Sequence, residues 1–175
     1  ADSLRHKRKP VVPLRGDLQI ANRDATDCHG HTSRFARLGD GIITTYIEAE
    51  DCRVVRERAD EALAKRGRSL PGFPLCVYTT VRFEDDVRTA ERRTGEFLAA
   101  YYGGGVHMRG TMGLGPPDAV IAALRRYAAA GVTDLCLRFV GDDQFQQFER
   151  FTAEVLPASP SPLSFSLCLE IRRPP

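Results

Sequence analysis

At 175 residues, 42% hydrophobic and 27% charged, the chain has the composition of one soluble globular domain with enough apolar residues to bury a core. A formal charge of +2 falls far short of the concentrated basic surface that binding to a phosphate backbone requires, so a nucleic-acid partner is not expected. No apolar run approaches the ~20 residues of a membrane span and no secretory segment opens the chain, so a cytoplasmic protein without a membrane partner is expected.

Residues 1–16 read as a basic, proline-punctuated linker; its cationic cluster is Arg5, His6, Lys7, Arg8 and Lys9. Asp17 to Ala21 (strand core Leu18 to Ala21) is a short candidate strand, and the polar stretch Asn22 to His31 is a loop leading into a helix around Ser33 to Leu38. Gly39, Asp40 and Gly41 close that helix, and Ile42 to Thr45 follows as a second strand. Cys52, Val55, Ala59, Ala62 and Leu63 recur at helical spacing, with Gly67 just past the end. Leu75 to Phe83 is rich in β-branched and aromatic residues and reads as a third strand. The helix after it, Glu84 to Tyr101, carries Val87, Ala90, Phe97, Leu98 and Tyr101 on one side, and the glycine-rich stretch to Leu114 is a flexible connection.

Pro116 and Pro117 suit a first helical turn, where the missing N–H costs nothing, and Val120, Ile121, Leu124, Tyr127 and Ala128 continue that helix. Gly131 ends it. Asp134 to Phe139 is apolar apart from Arg138 and too short for a helix; after Gly141 a further helix is expected to turn Phe145, Phe148, Phe151, Val155 and Leu156 inward. Residues 17–157 therefore form the domain and residues 158–175 a proline-rich tail, in which LSFSLCLEI could add an edge strand. Each strand is followed by a helix and no hairpin signal intervenes, so right-handed crossovers predict a parallel α/β sheet.

Cys28, Cys52, Cys76, Cys136 and Cys168 are widely separated with no C-x-x-C pair, which implies neither a zinc site nor a disulfide framework. Cys76 and Cys136 lie inside strands and read as small buried hydrophobes. His29 and His31 lack a third ligand nearby, so no metal is expected, and His107 reads as a solvated loop histidine. Neither a P-loop nor a G-x-S-x-G elbow nor an H-E-x-x-H motif is present. Ligands of parallel sheets bind at the carboxyl ends of the strands, which selects Asn22 to His31, Thr44 to Ile47, Arg82 to Asp85 and Arg138 to Asp143. Arg138 reads equally as an anion clamp that would bind substrate or as half of a buried pair with a carboxylate such as Asp142 or Asp143.

Three blocks, in order, carry a family resemblance: SRFARLGDGIITT (Ser33 to Thr45), VYTTVRFEDDVRTAERRTGEFLAAYYG, and GPPDAVIAALRRYAAAGVTDLCLRF followed by a Gln/Glu-rich helix ending in EVLP. They resemble the second half of luciferase-like monooxygenases, which are flavin- and deazaflavin-dependent (β/α)8 barrels. The resemblance implies a parallel (β/α)4 half of such a barrel, strands five to eight, since a complete one needs about 250 residues. It implies reduced FMN or a deazaflavin as cofactor and a small organic substrate. It also implies cofactor contacts at Ala21, Asn22, Arg23, Thr26, Thr44 and Thr45. The catalytic acid or base of the family lies in the other half, so no catalytic residue is assigned. Such a chain is a partial oxidoreductase, inactive alone, that self-associates or pairs with a missing barrel half; the competing reading is a non-catalytic scaffold or interaction protein that keeps the half-barrel.

Overall fold

A computed structural model describes residues 19–21, 39–45, 47–68, 74–103, 113–159 and 163–168. The helix expected at Ser33 to Leu38, both termini and the glycine-rich connection 104–112 lie outside the described residues. The strands are β1 (Gln19–Ala21), β2 (Ile42–Thr45), β3 (Leu75–Phe83), β4 (Gly113–Gly115), β5 (Asp134–Phe139) and β6 (Ser164–Cys168). The helices are α1 (Ala49–Ala64), α2 (Val87–Tyr102), α3 (Pro117–Ala129) and α4 (Gln144–Arg150), the last continued by a π-helical turn over Phe151–Val155 and a 3-10 turn over Leu156–Ala158. The fold is α/β. Every ladder in the six-stranded sheet is parallel, in the order β1-β2-β3-β5-β6, with β4 paired to β3 off this path.

The expected strands are present at their expected places. Two others complete the sheet: β6, in the segment that could add an edge strand, and β4, inside what reads from sequence as a flexible connection. Strand β4 is Gly-Leu-Gly, and glycine has no strand propensity to reveal it. Its place in the sheet is unusual. Strand β3 is nine residues long; along one edge β2 pairs with Leu75 to Tyr78 and β4 with Val81 to Phe83, while β5 takes the other edge.

That shared edge decides where the helices lie. The steps β2 to β3, β4 to β5 and β5 to β6 all move in one direction across the sheet, so right-handed crossovers put α1, α3 and the π turn on one face. The step from β3 to β4 moves back, which sends α2 to the opposite face by the same rule.

The first face holds the core. Ile42, Leu75, Val77, Val81, Phe83, Leu135, Leu137 and Phe139 alternate inward from the strands and meet Cys52, Val55, Ala59 and Leu63 of α1, Val120, Leu124 and Tyr127 of α3, and Phe151 and Val155. Phe151 stacks edge-on against both Phe139 and Phe165, at centroid distances of 5.7 and 5.5 Å. On α2 the buried stripe is Ala90, Thr94 and Leu98, none of which belongs to that cluster.

Two inward expectations fail. Phe145 is 64% and Leu156 44% exposed. The buried stripe of α4 runs through Gln144 and Gln147 to Phe151 and Val155, which leaves Phe145 one residue, about 100°, off the contact line. Past the π turn Pro157 lacks the N–H that would continue an α-helix, and Leu156 leaves the core. Among the described residues no helix is long and apolar enough to cross a membrane.

Candidate functional site

Asn22, Arg23 and Thr26, with His29, His31 and His107, lie outside the described residues. Of the other expected cofactor contacts, Ala21 pairs with Thr44 in the β1–β2 ladder, so the backbones of Ala21, Thr44 and Thr45 do meet at the carboxyl end of adjacent strands. The side chains of Thr44 and Thr45 diverge. Successive residues of a strand point to opposite faces; Thr44 is buried on the helix-covered first face, while the half-buried Thr45 stands on the second, in register with Tyr78. A ligand on the second face reaches the hydroxyl of Thr45 and not that of Thr44.

The same alternation places Tyr78, Thr80 and Arg82 of β3 and Cys136 and Arg138 of β5 on the second face. Arg138 is 1% exposed. Its Nη1 donates to the Tyr102 hydroxyl at 3.1 Å, and its guanidinium carbon lies 5.8, 5.5 and 5.7 Å from the ring centroids of Tyr78, Tyr101 and Tyr102. Electron-rich ring faces stabilise a cation where water is scarce. These contacts bring the carboxyl end of α2 down onto the second face.

Asp143, one of the two carboxylates offered under the buried-pair alternative for Arg138, is bonded to Arg82. Arg82 Nη1 donates to the Val140 carbonyl at 2.6 Å and to Asp143 Oδ1 at 3.2 Å, and its Nε donates to Glu84 at 2.8 Å. Glu84 also accepts from Arg93 of α2 at 2.8 Å. Gln147 closes the cluster: its Oε1 accepts from Phe83 N at 2.6 Å, and its Nε2 donates to the Phe83 carbonyl at 3.2 Å and to Asp143 Oδ2 at 2.9 Å. Burial opposes charge on Asp143, but the Gln147 bond and the Arg82 guanidinium outweigh it and hold the carboxyl below its ordinary value. Gly141 has φ +112°, and a Cβ there would run into the Arg82 guanidinium. This lock joins the carboxyl ends of β3 and β5. Sequence reasoning selected both loops but not Arg82 as their hub; the available signal was a charged residue inside an otherwise apolar strand, followed two positions later by an opposite charge.

Of the two strand cysteines expected to be buried hydrophobes, Cys76 is buried and Cys136 is half-buried. Cys52 and Cys76 are free and buried, with their thiols pushed up to about 12 chiefly by desolvation; Cys136 is in no disulfide. Among the described residues no group of His, Cys, Asp and Glu is placed to hold a metal ion. A surface hollow of about 260 Å³ between α1 and α3 is lined by alanines with Glu50, Arg53 and Arg126, and Arg126 is engaged there by Glu48 and Glu50 at 3.5 and 3.4 Å. It opens beside the first turn of α1, a few residues past the end of β2, and its one α3 cation is already paired.

No family model matches the sequence, and no curated protein matches it. Solved structures do share its fold. The coenzyme F420 dependent tetrahydromethanopterin reductase from Methanopyrus kandleri superposes with a TM-score of 0.63 at 17% identity, over 82% of this chain and 50% of that one. An F420-dependent secondary alcohol dehydrogenase in complex with an F420-acetone adduct gives 0.66 at 13% identity, over 82% and 48%. The oxygenating constituent of 3,6-diketocamphane monooxygenase from the CAM plasmid of Pseudomonas putida, in complex with FMN, gives 0.54 at 16% identity, over 83% and 48%. The chain spans about half the length of the structures it matches.

Proposed function

We propose that this chain is the carboxyl-terminal (β/α)4 half of a luciferase-like, flavin- or deazaflavin-dependent oxidoreductase acting in the cytoplasm on a small organic substrate. The observation that carries the reading is a coincidence of two independent likenesses. The three sequence blocks fall, in order, on β2, on β3 with α2, and on α3 with β5; and enzymes dependent on F420 or complexed with FMN share this fold over about half their length.

The donor set on the second face suits such a cofactor. Thr45 and Tyr78 offer hydroxyls and Arg138 a cation, partners for a phosphate or for the polar edge of a ring. Ala21, Asn22, Arg23, Thr26, Thr44 and Thr45 are the proposed cofactor contacts, and Arg138 the proposed substrate contact. The bound, reduced cofactor would supply the redox chemistry; the residues of this chain would bind it, orient it and keep water from it. By itself the chain then binds FMN weakly, turns nothing over, and associates with itself or with the missing half.

The coding sequence upstream is the first test. Further strand–helix units in frame are expected, and a stop codon in their place overturns the partial-chain reading. In the complete protein, titration followed by flavin fluorescence separates FMN from a deazaflavin. A charge-assisted bond to phosphate contributes about 1.5–3 kcal/mol, so Arg23→Ala should weaken binding about tenfold or more. Unchanged affinity removes Arg23 from the site. One observation favours the non-catalytic scaffold instead: α2 covers the second face, which in a closed barrel is the interior. A complete protein that binds neither cofactor would establish that reading.

A further inference from the structure

One hydroxyl of the second face, Thr80 Oγ1, and one of α2, Thr94 Oγ1, are buried without a hydrogen-bond partner among the described residues. Leaving a buried hydroxyl unsatisfied is unfavourable, and valine would fill the same space without that cost. Both sit on elements that Arg138 touches. Thr80 is the register partner of Arg138 on the second face. Thr94 lies on the buried stripe of α2, between the point where Arg93 holds Glu84 and the point where Tyr102 receives the Arg138 bond.

We propose that the second face beneath α2 is a binding site for the oxyanion end of a small ligand, a carboxylate or a phosphate monoester. Arg138 is its cation, the Thr80 and Thr94 hydroxyls are its donors, and α2 is its cover. A buried arginine beside hydroxyl donors is an anion site by chemistry: each donor is worth more against a charged acceptor than against a neutral one. Its depth fits, since Arg138 lies next to the last residue of β5, toward the carboxyl end where parallel sheets bind ligands. Access fits as well. Tyr101 and Tyr102, which flank the guanidinium, are 51% and 47% exposed, so the cation is one side chain from solvent. Movement of the carboxyl end of α2, where Tyr101 and Tyr102 meet Arg138, opens it.

The inference rests on the oxidoreductase reading only for whose ligand it is: if that reading holds, the substrate is anionic. Binding of the anion itself needs no flavin, so the two fail separately. Isothermal titration of the 175-residue chain with inorganic phosphate, and in a second arm with benzoate, measures the affinity. Saturable binding of one of them is expected, and the better ligand names the source of the oxyanion. Arg138→Gln should weaken binding at least tenfold and Thr80→Val several-fold. Thr80→Val carries the decisive sign, because it removes an unsatisfied buried hydroxyl: thermal stability without ligand should hold or rise while affinity falls. A surface control, Arg92→Gln, should change neither. Absence of saturable binding in both arms, or a Thr80→Val variant that binds as tightly as the parent, overturns the site.

Discussion

The two faces of the sheet are built on different principles although they share every strand. On the first, alternate residues of β2, β3 and β5 are aliphatic or aromatic apart from the buried Thr44 and Thr79, and the apolar ones are sealed by α1, α3 and the π turn into one cluster. On the second, the same strands present Thr45, Tyr78, Thr80, Arg82, Cys136 and Arg138 beside Ile43 and Cys76, covered among the described residues by a single helix whose central contact residue is a threonine. A face that only has to be stable gains most from close-packed apolar side chains. Buried hydroxyls and a guanidinium stabilise little and specify much. The contrast separates a scaffold face from a face kept for recognition.

The sharpest way to break the comparison is Phe151→Ala. It removes a ring that joins α4 to β5 and β6 on the first face, and a loss of about 3–5 kcal/mol is expected in urea unfolding. A loss below 1 kcal/mol would mean that the first face is not the stabilising one. Gln147→Leu should cost about 1–3 kcal/mol, because both backbone groups of Phe83 lose a buried partner. Here the measurement is the denaturation midpoint at constant slope.

The acid limb of stability sharpens the role of the strand-end lock. Asp143 has a folded-state pKa depressed below its ordinary 3.8, so its contribution is fully present above that value and is lost as pH falls through the folded pKa. Asp143→Asn should flatten the pH dependence of the thermal midpoint below about pH 4 and leave it unchanged at neutral pH in slope. An identical acid limb in the variant would exclude Asp143 as its source. The smallest expected effect is Tyr102→Phe, which removes one hydrogen bond to Arg138 for about 1 kcal/mol or less. Amide exchange should accelerate in the last turn of α2 and not in β3 or β5. Uniform acceleration would show that α2 and the sheet open as one unit.

The sequence made the first face readable and left the second dark, for physical reasons. Apolar periodicity reports burial against an apolar partner, so Val120, Leu124 and Tyr127, and the strand from Asp134 to Phe139, announce themselves. The position of α2 depends instead on which edge of β3 a three-residue Gly-Leu-Gly strand chooses, and no local pattern encodes a choice between edges. Arg138 was marked by its isolation among apolar residues, and its tyrosine surroundings are legible only once α2 is placed. Arg82 was marked only as the start of a loop; its bonds to Val140 and Asp143 span 58 and 61 residues. Phe145 misled because any phenylalanine at helical spacing invites an inward reading, while two glutamines hold that line.

Strand length now acquires a meaning of its own. Strand β2 stops opposite Tyr78, and only because it stops there do Val81 to Phe83 keep a free edge for β4. Extending β2 to the end of β3 would put the two in competition for that edge. Were β4 evicted, the backward step that sends α2 to the second face would vanish, and with it the reason for the helix to lie across Arg138. The placement of a sixteen-residue helix is thus governed by how early a four-residue strand ends.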